Sequence, residues 1–174
     1  PTETAFPIYF NRGVSGIDGI TSTALGITIA SERPGVLITG DLAFYHDLNG
    51  LLTSKQYGIP LTVVLINNDG GGIFNMLPVS AFADTFEEQF ITPHGLDFQP
   101  FVEGYGGSFI RIESWNHFGG ELTRSLATEG LSVLEIRTDG EQSMHERNRI
   151  RVHVLKSLNH GLDQSSSHSN TLTL

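Results

Sequence analysis

The sequence predicts a three-layer αβα domain, a mostly parallel sheet with helices on both faces, and two features of its patterning carry that prediction. Residues 36–38 and 61–66 are apolar without polar interruption, as in strands covered on both sides; a half-exposed antiparallel strand would alternate instead. Stretches with helical apolar spacing separate these runs, and strands alternating with helices build a parallel sheet clothed by helices. With 174 residues and a hydrophobic content of 39%, the chain can bury one sizeable core. One domain is expected over residues 1–162.

Residues 7–10 are short and apolar and residues 11–19 contain Gly13, Gly16 and Gly19, which reads as a buried strand entering a loop. A helix is expected at 18–31, with Ile20, Ala24, Leu25, Ile27 and Ala30 on helical spacing, ended by Pro34, which disfavours helical backbone in the residue before it. A strand at 36–38 runs into Thr39 and Gly40. Asp41 then opens a helix with Leu42, Leu48, Leu51 and Leu52 on one face, stopping near Gly58 and Pro60. The strand at 61–66 follows. Residues 67–100 are rich in glycine, phenylalanine and proline, and connections that long are usually lids or binding loops; short helical turns are expected at 73–76 and 83–89. Regular structure returns with a helix at 98–105, a strand at 108–112, a helix at 118–129, a strand at 131–137 and a helix at 141–158. Residues 163–174 are polar and serine-rich and offer too little apolar surface to offset the entropy of ordering, so a frayed tail is expected there.

A formal net charge of -9 with no basic cluster excludes nucleic acid and anionic membrane surfaces as partners, since both require a positive face. No apolar run approaches the roughly 20 residues that span a bilayer. The chain has 0 cysteines, which excludes disulfides, a thiolate nucleophile and sulfur-ligated metal, and fits a cytoplasmic setting. It starts at Pro1 and reaches an apolar run at Phe6 almost at once, as expected either of a removed initiator methionine or of a cut from a longer chain.

In open parallel sheets, ligands sit beyond the carboxyl ends of the strands. Asn11-Arg12-Gly13, Gly40-Asp41 and the glycine-rich stretch 67–72 all fall at such ends. Backbone amides opening the helix at Asp41 favour a diphosphate, yet the Asp41 carboxylate repels one. The conflict disappears if Asp41 holds a divalent cation that bridges to the diphosphate, with the Asn68 amide oxygen and a loop carbonyl as further hard ligands, a set that suits magnesium. The plainer alternative makes Asp41 a helix cap and Asn67-Asn68 a turn. His46 reads as a structural histidine within its helix, and His94, His117 and His145 lack metal-ligand spacing and receive no role.

The 27 positions from Gly40 to Asn67 resemble the glycine-aspartate to double-asparagine motif of thiamine diphosphate enzymes, with Leu42 where many members have glycine. Longer stretches, NRGVSGIDGITSTALG at 11–26, GDLAFYHDLNGL at 40–51 and NNDGGGIFNMLP at 67–78, resemble the C-terminal cofactor domain of 2-succinyl-5-enolpyruvyl-6-hydroxy-3-cyclohexene-1-carboxylate synthase, in which leucine at the Leu42 position is usual. The resemblance covers residues 7–137. It implies the thiamine diphosphate-binding fold and a transferase of menaquinone and phylloquinone biosynthesis that decarboxylates 2-oxoglutarate and adds the succinyl unit to isochorismate. Asp41 and Asn68 would ligate magnesium through side chains and Gly70 through its carbonyl. Gly40, Leu42 and Ala43 would lie around the diphosphate. Ile17 would wedge the cofactor into its bent form and Ile73 would contact it. Arg12 would hold a substrate carboxylate, where a guanidinium fork matches two oxygens, and Phe74 and Leu77 would line the substrate pocket. The glutamate that activates the cofactor in this family belongs to an N-terminal domain of a neighbouring subunit. The expectation is therefore one domain of a longer homo-oligomeric enzyme, dimer or tetramer, inactive by itself. Two rivals remain: another thiamine diphosphate decarboxylase or carboligase, such as an acetolactate synthase-like protein, and a non-catalytic doubly wound module.

Overall fold

The computed structural model describes residues 6–11 and 13–167. Its four strands, β1 (Gly35–Gly40), β2 (Leu61–Asn67), β3 (Ser108–Arg111) and β4 (Leu131–Arg137), pair only in parallel, in the order β1-β2-β4-β3. β2, one of the two apolar runs, takes the centre with β4, while the other run, in β1, lies at an edge. Val63, Leu65, Val133 and Leu134 are wholly buried there, which is where strands without alternation belong. Helices α1 (Ile20–Ser31), α2 (Asp41–His46), α3 (Leu51–Tyr57), α4 (Ala83–Phe86), α5 (Gln99–Gly104), α6 (Trp115–Leu126) and α7 (Gly140–Ser167) complete the described chain. None of them is long and apolar enough to cross a membrane.

The two faces of the sheet are covered unequally. On one, Leu61, Val63, Leu65, Leu131 and Val133 pack with Leu25, Phe44, Leu51, Phe98 and Val102 into the main core beneath α1, α3 and α5. On the other, α6 lies over β2 and β4, and Thr62 Oγ1 donates to Ser125 Oγ at 3.0 Å. The register places Val36 beside Thr62 and Ile38 beside Val64, on that second face. They stay 48% and 72% exposed, because α6 reaches only the central strands.

Several elements depart from the expectations. Residues 7–10 form no strand, and Ile8, Tyr9 and Phe10 are exposed. A short apolar segment becomes a strand only when a ladder partner and a covering layer are present, and the described residues supply neither. Asn11 Nδ2 merely donates to Thr23 Oγ1 at 3.3 Å. The single helix expected from Asp41 to Gly58 is broken into α2, a 3-10 turn at Leu48–Gly50 and α3. Asp47 causes the break: its carboxylate accepts from Ser22 N at 2.6 Å and Ser22 Oγ at 3.0 Å, satisfying the otherwise uncapped first turn of α1. The bend buries Phe44 and Leu51 and packs Leu48 against the core but leaves Leu52 exposed, so of the expected face Leu48 and Leu51 point inward and Leu52 does not.

α6 starts three residues earlier than expected because Ser114 Oγ accepts from His117 N at 3.1 Å and caps it. α7 continues to Ser167, since no proline or cap interrupts it. The first part of the tail expected from Asp163 is therefore helical, and residues 168–174 lie outside the described residues. Within the long connection, turns at Gly72–Met76 and Pro78–Ala81 precede α4 and a π-helical turn at Glu87–Ile91, close to the two turns the sequence predicts.

α1 crosses the sheet tightly at Gly35, where an added Cβ would meet Thr28 Oγ1 and crowd Leu61 Cδ1 at 3.2 Å. Thr28 is held by donating to Ala24 O at 2.8 Å and cannot swing away freely. Gly35→Ala is expected to lower unfolding stability by about 1–3 kcal/mol, measured by urea denaturation.

Candidate functional site

β1 and β2 are neighbours and run in the same direction, so their carboxyl ends deliver Asp41 and Asn68 to one place. Asp41 is 2% exposed. Its Oδ2 accepts Asn68 N at 3.1 Å and Gly70 N at 2.9 Å, and its Oδ1 accepts Leu42 N at 2.8 Å. The cap position of α2 belongs to Gly40, with no side-chain cap. Asp41 is thus more than a helix cap, for its carboxylate reaches across to organise the loop that leaves β2.

The Asn68 side-chain amide completes this arrangement. One of its terminal atoms lies 2.9 Å from Gly70 O and 3.2 Å from each Asp41 carboxylate oxygen. With nitrogen in that place the amide donates to all three. With oxygen there, oxygens of three chemical origins converge, an arrangement that a bound cation would satisfy. Adjacent oxygens on an octahedral magnesium ion stand about 2.9 Å apart, which matches these spacings. Among the described residues no three His, Cys, Asp or Glu side chains gather for a metal. The oxygen set of one carboxylate, one amide and one carbonyl therefore fits a hard cation and not zinc.

The glycines of the loop are required by close approach. An added Cβ at Gly70, whose φ is +137°, would strike Ile91 O, and one at Gly72 would strike the Asn68 amide. Gly71 N donates to Ile91 O at 2.7 Å, tying the π-helical turn back onto the site. Asp69 takes a left-handed conformation, φ 58°, which aspartate tolerates better than most residues. Its Oδ1 accepts His94 N at 3.2 Å and Gly95 N at 2.7 Å.

Asn67 plays a different part from Asn68. Its Nδ2 donates to Glu135 Oε1 at 2.7 Å and its Oδ1 accepts Asp69 N at 3.1 Å. Glu135 is 1% exposed at the end of β4, and its Oε2 receives Arg111 Nε at 3.3 Å and Arg137 Nε at 3.2 Å. Arg111 also holds Asp97 at 2.6 Å. The Gln99 backbone amide foremost, and then Arg111, keep the Asp97 carboxyl below its ordinary range, and Asp97 raises Arg111 in turn.

Of the residues named from sequence, Asp41, Asn68 and Gly70 come together. Gly40 and Ala43 flank Asp41, while the Leu42 amide is already engaged by the Asp41 carboxylate. Phe74 packs edge-on against Phe90, centroids 5.8 Å apart. Ile17, Ile73 and Leu77 are 40%, 66% and 49% exposed, so they enclose no pocket within this chain. Arg12 lies outside the described residues. A groove of about 320 Å³ is lined by Thr28, Arg33, Tyr57 and Pro60 at the amino ends of the strands, opposite the site.

Sequence reasoning missed Glu135 and His94. Glu135 interrupts an apolar strand, and a lone charge there was a usable sign of a buried partner. His94 gave no such sign. It meets Asp41 at 3.2 Å from 53 positions away.

Comparison with known proteins adds to this geometry. The family described as thiamine pyrophosphate enzyme, C-terminal TPP binding domain, matches residues 8–136. The 2-succinyl-5-enolpyruvyl-6-hydroxy-3-cyclohexene-1-carboxylate synthase of Haloarcula marismortui is 48% identical over 158 residues, 91% of this chain and 26% of the relative. The Bacillus velezensis protein of the same name is 48% identical over 137 residues, 79% of this chain and 24% of the relative. The chain thus spans about a quarter of the length of the curated relatives it matches. Among solved structures, a thiamine diphosphate-dependent 4-hydroxybenzoylformate decarboxylase of Rhodococcus jostii superposes with a TM-score of 0.59 at 26% identity, covering 67% of this chain and 22% of that one. A benzoylformate decarboxylase of Polynucleobacter necessarius shares the fold with a TM-score of 0.60 at 23% identity, covering 73% of this chain and 24% of that one.

Removing Glu135 leaves the buried Asn67 amide without its acceptor, while Arg111 and Arg137 can turn to water. Glu135→Ala is expected to lower stability by about 1–3 kcal/mol in urea denaturation, and Glu135→Gln by less.

Proposed function

The chain belongs to the thiamine pyrophosphate enzymes, through their C-terminal cofactor-binding domain, and on that premise we propose that it is the cofactor-anchoring domain of a synthase that decarboxylates 2-oxoglutarate and adds the succinyl unit to isochorismate. The observation that carries this reading is the convergence of the Asp41 carboxylate, the Asn68 side-chain amide and the Gly70 carbonyl at the carboxyl ends of β1 and β2, in a chain 48% identical to the 2-succinyl-5-enolpyruvyl-6-hydroxy-3-cyclohexene-1-carboxylate synthases compared above.

In this proposal the oxygens of Asp41, Asn68 and Gly70 hold magnesium, and through it the diphosphate of the cofactor. In a chain with a net charge of -9 such a bridge offsets the repulsion between the Asp41 carboxylate and a polyanion. Thiamine diphosphate, when bound, supplies the electron sink for decarboxylation. Gly40, Leu42 and Ala43 border the diphosphate, and Ile17 and Ile73 present apolar surface to the cofactor. Arg12 pairs with a substrate carboxylate, while Phe74 and Leu77 exclude water beside it. The glutamate that activates the cofactor comes from an N-terminal domain of a neighbouring subunit, so the working unit is a homo-oligomer of the longer enzyme, acting in menaquinone biosynthesis in the cytoplasm. Residues 1–162 form the anchoring domain of that enzyme. The exposure of Ile17, Ile73 and Leu77 accords with apolar walls that another domain closes over.

Two outcomes are expected. Isothermal calorimetry of this chain with thiamine diphosphate and magnesium gives binding heat that Asp41→Ala abolishes, and equal heats from the two proteins would sink the proposal. In the complete enzyme, Arg12→Ala raises KM for 2-oxoglutarate at least tenfold, as loss of a charged hydrogen-bonding partner of a carboxylate requires; an unchanged KM would instead favour a monocarboxylate oxo acid as substrate.

A further inference from the structure

Asp41 carries more donors than its backbone neighbours account for. Oδ2 accepts the Asn68 and Gly70 amides, and His94 Nε2 also lies 3.2 Å from it. Leu96 N donates to His94 Nδ1 at 2.9 Å. A ring nitrogen that accepts carries no proton, so the proton sits on Nε2 and His94 donates to Asp41. The proximity of Nδ1 to Asp69 Oδ1, 3.3 Å, is therefore no ion pair; Asp69 instead holds the His94 and Gly95 backbone amides. The ring is fixed from behind by Phe98, edge-on at 5.5 Å, which meets Phe44 of α2 at 5.6 Å. Its side chain is 11% exposed. A histidine locked in tautomer, position and tilt by three separate contacts is a built feature.

The consequence falls on the cation site. Three donors crowd the two lone pairs of Oδ2, whereas Oδ1 has one backbone donor, Leu42 N, and with the Asn68 amide oxygen turned toward the site it keeps a lone pair free for a cation. We propose that His94 is a positioning residue for the cation: by holding Oδ2 it fixes the carboxylate plane so that Oδ1 faces the same point as the Asn68 amide and the Gly70 carbonyl. It also joins the end of the long connection, residues 92–96, to the cation, so that cation occupancy and the seating of this segment reinforce each other. This inference rests on the cation-site reading above. Hydrogen-bonded partners of a metal ligand typically account for 10–100-fold in metal affinity, and the two backbone donors to Oδ2 remain when the histidine is replaced. The lower end of that range is expected.

The test titrates this chain with Mn2+ at saturating thiamine diphosphate and follows free Mn2+ by electron paramagnetic resonance, alongside thermal melting. His94→Phe keeps the aromatic contact with Phe98 but has no donor, and His94→Gln restores one. About tenfold weaker Mn2+ binding by His94→Phe, with a melting temperature near that of the wild type and recovery in His94→Gln, is the expected result. Wild-type affinity in His94→Phe, while Asp41→Asn loses the metal, overturns the role of His94 and leaves the site standing. A folded His94→Gln as weak as His94→Phe also overturns it, since the donor would then not be what matters. Wild-type affinity in Asp41→Asn overturns the cation site and this inference together.

Discussion

One buried carboxylate holds the active end of this molecule together. Asp41 leaves β1 and receives the backbone amides of Asn68 and Gly70 from the loop after β2. Two adjacent parallel strands would otherwise end in loops free to diverge. A buried carboxylate costs several kcal/mol in desolvation unless its lone pairs are met, so the loop is compelled to supply donors, and the glycines let its backbone come close enough to do so. The same demand draws the Asn68 side-chain amide and the Gly70 carbonyl up to the carboxylate. The interaction that folds the loop is thereby the one on which the proposed cation site rests.

A second acid repeats the logic one strand further along. Glu135 of β4 gathers Asn67, Arg111 and Arg137, so the paired asparagines divide the work. Asn67 is fastened to the sheet, and this frees Asn68 to turn its amide toward Asp41. Because Arg111 and Arg137 are partly solvated, Glu135 is neutralised without two buried cations, and the chain keeps its negative balance. The two acids together fix the loop from both sides. The Gly71 to Ile91 hydrogen bond and the Asp69 contacts with residues 94–95 then fold the long connection back over it.

Elements governed by local rules were legible in the sequence. The apolar runs at 36–38 and 61–66 marked two strands of a parallel sheet, and the Gly40-Asp41 and Asn67-Asn68 pairs marked the strand ends where the candidate site lies. Elements whose state depends on a distant partner were not legible. Residues 6–10 have strand composition and stay unpaired, because pairing is a property of the neighbour as much as of the segment. The helix after Asp41 breaks at Asp47 for the sake of Ser22 in another helix, a demand that helical spacing within 41–58 cannot express. Ile17, Ile73 and Leu77 show apolar chemistry in sequence, but enclosure belongs to whatever packs on them.

The sequence by itself determined the fold class, the family and that Asp41, Asn68 and Gly70 fall at neighbouring strand ends, because strand patterning and glycine placement are written in short stretches of chain. Tertiary structure alone decided how the Asp41 carboxylate is aimed, that Asn67 answers to Glu135, and that His94 stands behind the site. Those outcomes depend on contacts between residues 53 and 68 positions apart. No local pattern encodes such a meeting, since the buried acid imposes its need for donors only after the sheet has brought the strand ends side by side.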